Sequence, residues 1–241
     1  MNLIEYNIEG LSSLKRLYLA ANVAKVDISL KNLPSLTNLS LSFFRCINKD
    51  IVTSVLNQVP FIQELCLQGN LFYLNLDNLV NLRKLSLSGY IKENFNFELF
   101  KNLCNQLESI KINLGNIDEK TFFKLFDGYN FQYLVDLTIE FLDNKRLTKE
   151  FIDRLPIHRQ LNINNCGIEV IEHDSFSNMK QLTLLNLRSN KIKVIEENAF
   201  SNLKNLQKLD VSDNYLKNFD PKFVGLIESA EYVIKNNLFY L

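Results

Sequence analysis

One pattern, L-x-x-L-x-L-x-x-N, recurs from end to end of the chain and limits what it can fold into. It is clearest at LKRLYLAAN (Leu14 to Asn22), IQELCLQGN (Ile62 to Asn70), LTLLNLRSN (Leu182 to Asn190) and LQKLDVSDN (Leu206 to Asn214). Weaker copies start at Leu36, Leu82, Leu107 and Leu134, a ninth at His158, and a decayed tenth, SAEYVIKNN, at Ser229. Successive starts lie 20 to 27 residues apart. A period of that size marks stacked coils, in which each repeat is one short supersecondary unit.

The centre of each copy alternates polar and apolar residues with period two, which predicts a short strand. The remainder must bring the chain back to the same edge. Successive strands then lie parallel, about 4.8 Å apart, in one sheet. A lone unit cannot bury its leucines, but stacked neighbours can. The expected fold is α/β: a solenoid bent into a horseshoe arc, with a parallel sheet on the concave face and short helices and turns on the convex face. It reads as a single domain, 1–241, of about ten ribs. Strands are expected near 16–20, 38–42, 64–68, 84–88, 109–113, 136–140, 160–164, 184–188, 208–212 and 231–235.

The Asn that closes each copy suits a ladder in which its amide bonds backbone groups left open at the strand end. The ladder position holds Asn22, Asn70, Asn190, Asn214 and Asn237, but also Phe44, Tyr90, Gly115, Leu142 and Cys166. Half of the column cannot make the full set of bonds, so the middle ribs should differ in backbone geometry. The returns also differ. GIEVIEHDSFSNMKQL and KIKVIEENAFSNLKNL share one layout, Ile168, Ile171, Phe176 and Met179 matching Ile192, Ile195, Phe200 and Leu203. Leu3, Ile8 and Leu11 fit the same layout. The middle returns INKDIVTSVLNQVP, NFELFKNLCNQL, DEKTFFKLFDGY and LTKEFIDRLP have helical spacing, with Asn48 and Thr148 as N-caps and Pro60 and Pro156 as stops.

The chain resembles the leucine-rich-repeat superfamily over its whole length. Leu161 to Leu216 is most similar to the 24-residue typical class of extracellular proteins: Toll-like receptors, Slit-like and proteoglycan-like proteins, and insect surface or secreted repeat proteins. NNLFYL is similar to the Asn-Pro-Phe-x-Cys opening of their C-terminal cap, with Leu238 for the proline and Leu241 for the cysteine. The resemblance implies a non-catalytic protein-binding module, often in immunity or adhesion, recognising its ligand on the concave face. The helical middle returns and Cys166 resemble intracellular classes instead, such as repeats that follow F-boxes or those of ribonuclease-inhibitor-like proteins. An extracellular or cell-surface location and a cytoplasmic one, with an adaptor or substrate-recognition role, therefore both stand.

Composition narrows the functions. Lys plus Arg and Asp plus Glu are 27 each, so net charge is zero and phosphate-driven nucleic-acid binding is disfavoured. No run of roughly 18 apolar residues appears, so no membrane insertion by this segment is expected. The N-terminus lacks the n- and h-regions of a signal peptide. The opening at Leu3 and the close after the tenth copy leave both ends without a capping unit. Either the chain is part of a longer or partial gene product without independent function, or its end ribs stand as they are or are covered by a partner. Oligomeric state is left open. The four cysteines match neither a disulfide scaffold nor a zinc pattern. Cys166 should face inward and Cys66 outward without a partner, which favours a reducing compartment.

Outward strand positions supply the candidate protein-binding surface. Arg16 and Tyr18 lie at one end; Lys111, Asp136 and Glu140 form a polar cluster; Asn186, Arg188, Lys208 and Asp210 form another. There Arg188 is placed to anchor a partner carboxylate. Asn38 heads the only N-x-S/T sequon and is a possible glycosylation site. No catalytic residue, metal ligand or cofactor is indicated: His158 and His173 lie on different sides of one rib, and no glycine-rich phosphate loop occurs.

Overall fold

The computed structural model describes residues 4–21, 26–43, 49–71, 74–91, 95–115, 117–156 and 159–238. They form two compact units, Met1–Gly115 with Tyr129–Tyr133, and Asn116–Gly128 with Leu134–Leu241. Asn22, Asn48 and His158 lie outside the described residues.

The first unit holds strands β1 (Ile4–Glu9), β2 (Arg16–Ala21), β3 (Val26–Lys31) and β4 (Asn38–Phe43), helix α1 (Lys49–Gln58), and strands β5 (Glu64–Leu71), β6 (Lys84–Ile91) and β7 (Ser109–Gly115). β2, β4, β5, β6 and β7 pair in parallel in chain order. Their register aligns Leu17–Leu39–Leu65–Leu85–Ile110 and Leu19–Leu41–Leu67–Leu87–Ile112. All of these except the half-buried Leu17 are buried. Burying one such side chain contributes about 2 kcal/mol. Ordering one residue costs about 1–2 kcal/mol. A lone rib of some twenty residues therefore cannot be stable, and in-register stacking is what makes the leucines count.

The returns depart from expectation. Ile8 and Leu11 match the turn-like return around Phe200 in sequence, and Leu3 lies outside the described residues. Instead Ile4–Glu9 is a full strand, paired in parallel with β3. Leu11 is 50% exposed where Leu203 is 0%. Without an aromatic at the Phe200 position to fill the turn, the chain takes the extended form. Gln58 ties α1 to β3, its amide nitrogen donating to Ile28 O (3.0 Å) and its oxygen accepting from Leu30 N (2.7 Å). Among the described residues only α1 is a helix of several turns. NFELFKNLCNQL gives a single 3-10 turn, Phe97–Phe100, capped by Asn96. DEKTFFKLFDGY and LTKEFIDRLP give five-residue helices.

β5 and β6 also run past the ladder position, pairing Asn70 with Tyr90 inside the sheet. Glycine makes this possible. Gly69 and Gly89 sit at φ +135° and +134°, and a Cβ there would lie 1.9 Å from Phe43 O and 1.8 Å from Gly69 O. The interrupted ladder thus coincides with longer strands, and Asn70 lies within one of them.

The second unit holds helix α2 (Glu119–Phe123), strands β8 (Asp136–Glu140) and β9 (Arg146–Leu147), helix α3 (Lys149–Asp153), and strands β10 (Gln160–Asn164), β11 (Val170–Ile171), β12 (Leu184–Asn186), β13 (Val194–Ile195), β14 (Lys208–Asp210) and β15 (Glu231–Val233). β8, β10, β12, β14 and β15 pair in parallel on one side, and β9, β11 and β13 on the return side. Between them run buried phenylalanines, Phe123 against Phe151 and Phe176 against Phe200, with ring centroids 5.2 and 5.7 Å apart. Thr148 caps α3, its hydroxyl accepting from Phe151 N (3.1 Å). Asp118 caps α2 in the same way through Thr121 N (2.7 Å), and hydrogen bonds from the Thr121 side chain first and its backbone N–H second hold the Asp118 carboxyl below the usual range.

β12 and β14 are three residues long, shorter than their alternating windows. Asn186 Oδ1 accepts from Arg188 N (3.0 Å) and Asp210 Oδ1 from Ser212 N (2.9 Å), so each side chain turns the backbone two residues on. The next turn is left-handed at Ser189 and Asp213, as it is at Phe141, Asn165 and Asn236. The ladder follows directly. Asn190 Nδ2 donates to Ile163 O (2.7 Å) and Leu187 O (2.9 Å), while its oxygen accepts from Cys166 N (2.9 Å). Asn214 and Asn237 repeat the set on the following ribs. Cys166 imitates it weakly, its thiol 3.6 Å from Ile139 O and 3.3 Å from Asn164 O.

Asn190→Ala and Asn214→Ala each strand buried backbone groups and should cost about 2–3 kcal/mol in denaturant unfolding, whereas Cys166→Ala should cost about 1. Gly89→Ala should cost about 3 kcal/mol through the clash with Gly69 O. Equal losses at positions 166 and 190 would count against the ladder ranking.

Candidate binding surface

In the first unit the outward side chains of the sheet outline a shallow trough of about 450 Å³. Its floor is the middle outward column, where Ser40, Cys66 and Ser86 are adjacent in register. Tyr18, 63% exposed, stands at one end and Lys111 at the other. The next column forms a wall. Asn38 donates its amide to Glu64, and Glu64 accepts from Lys84 Nζ at 2.8 Å. Arg16 continues this wall beside Tyr18. Small floor residues leave room that a leucine or tyrosine there would fill.

Asn38 lies inside β4, half-buried, with its amide nitrogen bound to Glu64. A glycan on that nitrogen would have to displace this bond. Cys66 is half-covered, not exposed, and is free, as are the buried Cys104 and Cys166. Burial pushes the Cys166 thiol up to about 12, so it is unreactive at neutral pH.

In the second unit several candidate residues also make internal contacts. Arg188 Nε donates to Asp213 Oδ2 at 2.6 Å, and Asn236 Nδ2 donates to Asp213 Oδ1 at 2.6 Å. The Arg188 guanidinium thus pairs with a carboxylate of its own chain while staying exposed. Asn186 and Asp210 shape the turns that end β12 and β14, and Lys208 Nζ lies 3.7 Å from Glu231. Asp136 accepts from Asn162 (3.1 Å) on the neighbouring strand. Asp136 and Glu140 belong to the second unit and Lys111 to the first.

An apolar surface lies beyond the strand ends. Phe141, at φ +61°, is exposed in a column otherwise made of Asn165, Ser189, Asp213 and Asn236, and it lines a trough with Tyr215. Tyr215 also borders an apolar recess with Val194 and Leu238. A bulky residue in a left-handed position is uncommon, but φ is not legible from a repeat consensus. His173 is structural, its ring bonded to Glu197 O (2.6 Å) and Asp174 (2.9 Å). Among the described residues, no group of His, Cys, Asp and Glu is placed to hold a metal ion, and no helix is long and apolar enough to cross a membrane.

Asn236 and Arg188 together keep the Asp213 carboxyl ionised below its ordinary range. The stability this contributes is present above the unfolded-state pKa and is lost as pH falls through the lowered folded value. Asp213→Asn should therefore destabilise the chain at neutral pH, with the gap from wild type closing in acid. A gap independent of pH in parallel denaturation series would contradict this.

Residues 159–216 match the family model described as leucine rich repeat. No curated protein matches the chain. Among solved structures the chain is similar to the crystal structure of a TLR13–ssRNA13 complex, with 21% identity over 93% of this chain and 42% of that one, and a TM-score of 0.48. It is also similar to an internalin (InlF) from Listeria monocytogenes, with 17% identity over 95% of this chain and 83% of that one, and a TM-score of 0.38. The chain spans about two fifths of the length of the first of these. The recurrent consensus, the matched segment 159–216 and the in-register parallel coils give the chain a leucine-rich-repeat solenoid fold.

Proposed function

We propose that the chain is a non-catalytic protein-binding module of a receptor-like or secreted protein, taking an extended partner segment on the outward face of its sheet. The trough of the first unit carries this reading. Ser40, Cys66 and Ser86 leave a floor wide enough for a backbone, while Arg16, Lys84, Glu64 and Tyr18 offer charge-assisted bonds and one aromatic contact along it. The wall mixes Glu64 with its lysine and arginine, which suits a polypeptide better than a phosphate backbone. No cofactor enters this reading. The similarity of Leu161 to Leu216 to extracellular repeats supports a surface or secreted setting. The free Cys66, Cys104 and Cys166 favour a second setting, an intracellular adaptor.

Peptides selected from a random library against the chain test the reading. They should protect Cys66 from a thiol reagent and lose at least about tenfold in affinity when Ser86→Trp fills the floor. Selected peptides that bind Ser86→Trp equally well and leave Cys66 reactive would overturn it. Thiol counting on protein alkylated without reduction from its natural source separates the settings, since a disulfide excludes the adaptor and free thiols throughout support it.

A further inference from the structure

The return side of the second unit repeats one backbone ladder from rib to rib and then breaks it. Val170 N donates to Lys145 O (3.2 Å) and Glu172 N to Leu147 O (3.0 Å). On the next rib Val194 N donates to Glu169 O (3.4 Å) and Glu196 N to Ile171 O (2.9 Å). In the same 24-residue alignment the following members are Asn218 and Asp220, and neither donates a backbone bond to β13. The break is local. Before it Tyr215 N still donates to Ile192 O (2.9 Å), and after it Asn198 N and Phe200 N donate to Phe223 O and Val224 O (both 2.9 Å). The rib bends at Lys217, leaves the ladder over 218–220 and rejoins it after Pro221. The open edge of β13 therefore lies inside the stack, beside a described rib, and owes nothing to the end of the chain.

Strand backbones point the N–H and C=O of alternate residues to opposite sides. Val194 and Glu196 point theirs to β11, so those of Ile195 point to the departing rib. Among the described residues neither group of Ile195 has a hydrogen-bond partner. Between β13 and the departing rib lies a recess of about 490 Å³, lined by Val194, Ile195, Leu216, Phe219 and Phe223. Lys193 stands before β13, and Asp220, in the alignment, opposite Glu196 beyond it, so opposite charges mark the two ends of the recess.

We infer that an extended segment of a partner protein adds to this edge as a further strand. The unbonded groups select that occupant. One donor and one acceptor on a single residue, at strand spacing, are met by an extended backbone, whereas a helix bonds its own groups and a lipid chain offers none. An apolar side chain of the segment enters the recess against Val194, Leu216 and Phe219. Charge complementarity puts a carboxylate of the segment at the Lys193 end and a cationic side chain at the Asp220 end. Edge strands are ordinarily blocked by a charge, a proline or a bulge, and Val194–Ile195 carries no charge and no proline. The inference does not rest on the trough reading, since the trough belongs to the first unit.

Amide hydrogen exchange of the full chain, read residue by residue by NMR, is the test. In the free chain the Ile195 amide should exchange at least about tenfold faster than the bonded amides of Glu172 and Glu196. The probe is a synthetic library, Glu-x-x-x-Lys and the reverse order, with Val, Ile, Leu, Phe or Thr at each x. The best binder should slow the Ile195 amide at least about tenfold and bind Ser86→Trp as well as wild type. N-methylation of one set of alternate peptide residues should weaken it at least about tenfold, and of the other set much less, because only one edge of the added strand meets β13. Val194→Lys should weaken it by a similar factor, and Lys193→Glu should shift the preference to peptides with Lys in place of Glu. An Ile195 amide as protected as Glu196 in the free chain, or protected by raising the protein concentration alone, which would seat a second copy there, would overturn the inference. So would a library without a member that slows Ile195, or equal binding by both N-methylated sets.

Discussion

The inward leucines of successive described strands are packed row on row, and the parallel backbone ladder sets the distance at which they meet. Leu39, Leu65, Leu85 and Ile110 in one unit, and Leu137, Leu161, Leu185 and Leu209 in the other, are successive members of such rows. The coils depend on one another because no coil contains enough apolar surface to offset its own ordering entropy.

Two devices hold neighbouring coils in register, and each serves a different unit. In the second unit, Asn190, Asn214 and Asn237 bond backbone groups of their own rib and of the rib before, which closes each strand with a turn. In the first unit the strands continue instead, and Gly69 and Gly89 let adjacent backbones approach where any Cβ would collide. Residues that lack the asparagine amide at this column, such as Tyr90 and Gly115, stay in the sheet. Cys166 keeps a partial version of the bonding with one weak donor.

The outward faces follow from the same geometry. A strand shows every second residue to the outside, so small residues in one column of the first unit become a continuous floor. In the second unit the corresponding residues Asn186 and Asp210 serve their own backbone turns, and Arg188 serves Asp213. Polar residues on a sheet face are thus of two kinds, those that shape the rib and those that do not, and composition alone does not separate them.

The repeat, the parallel solenoid and the inward cysteine were legible in the sequence, because each rests on local periodicity and on a fixed two-residue alternation. The Thr148 cap was legible for the same reason, since capping needs only a side chain and an amide three residues on. The tertiary structure decided what depends on contacts between coils. It made Ile4–Glu9 a strand by giving it β3 as a partner, carried β5 and β6 through the ladder column on paired glycines, and bound Arg188 to a carboxylate twenty-five residues away. It also left Phe141 and Tyr215 on the surface, because a residue just before or after the ladder position faces wherever the turn directs it.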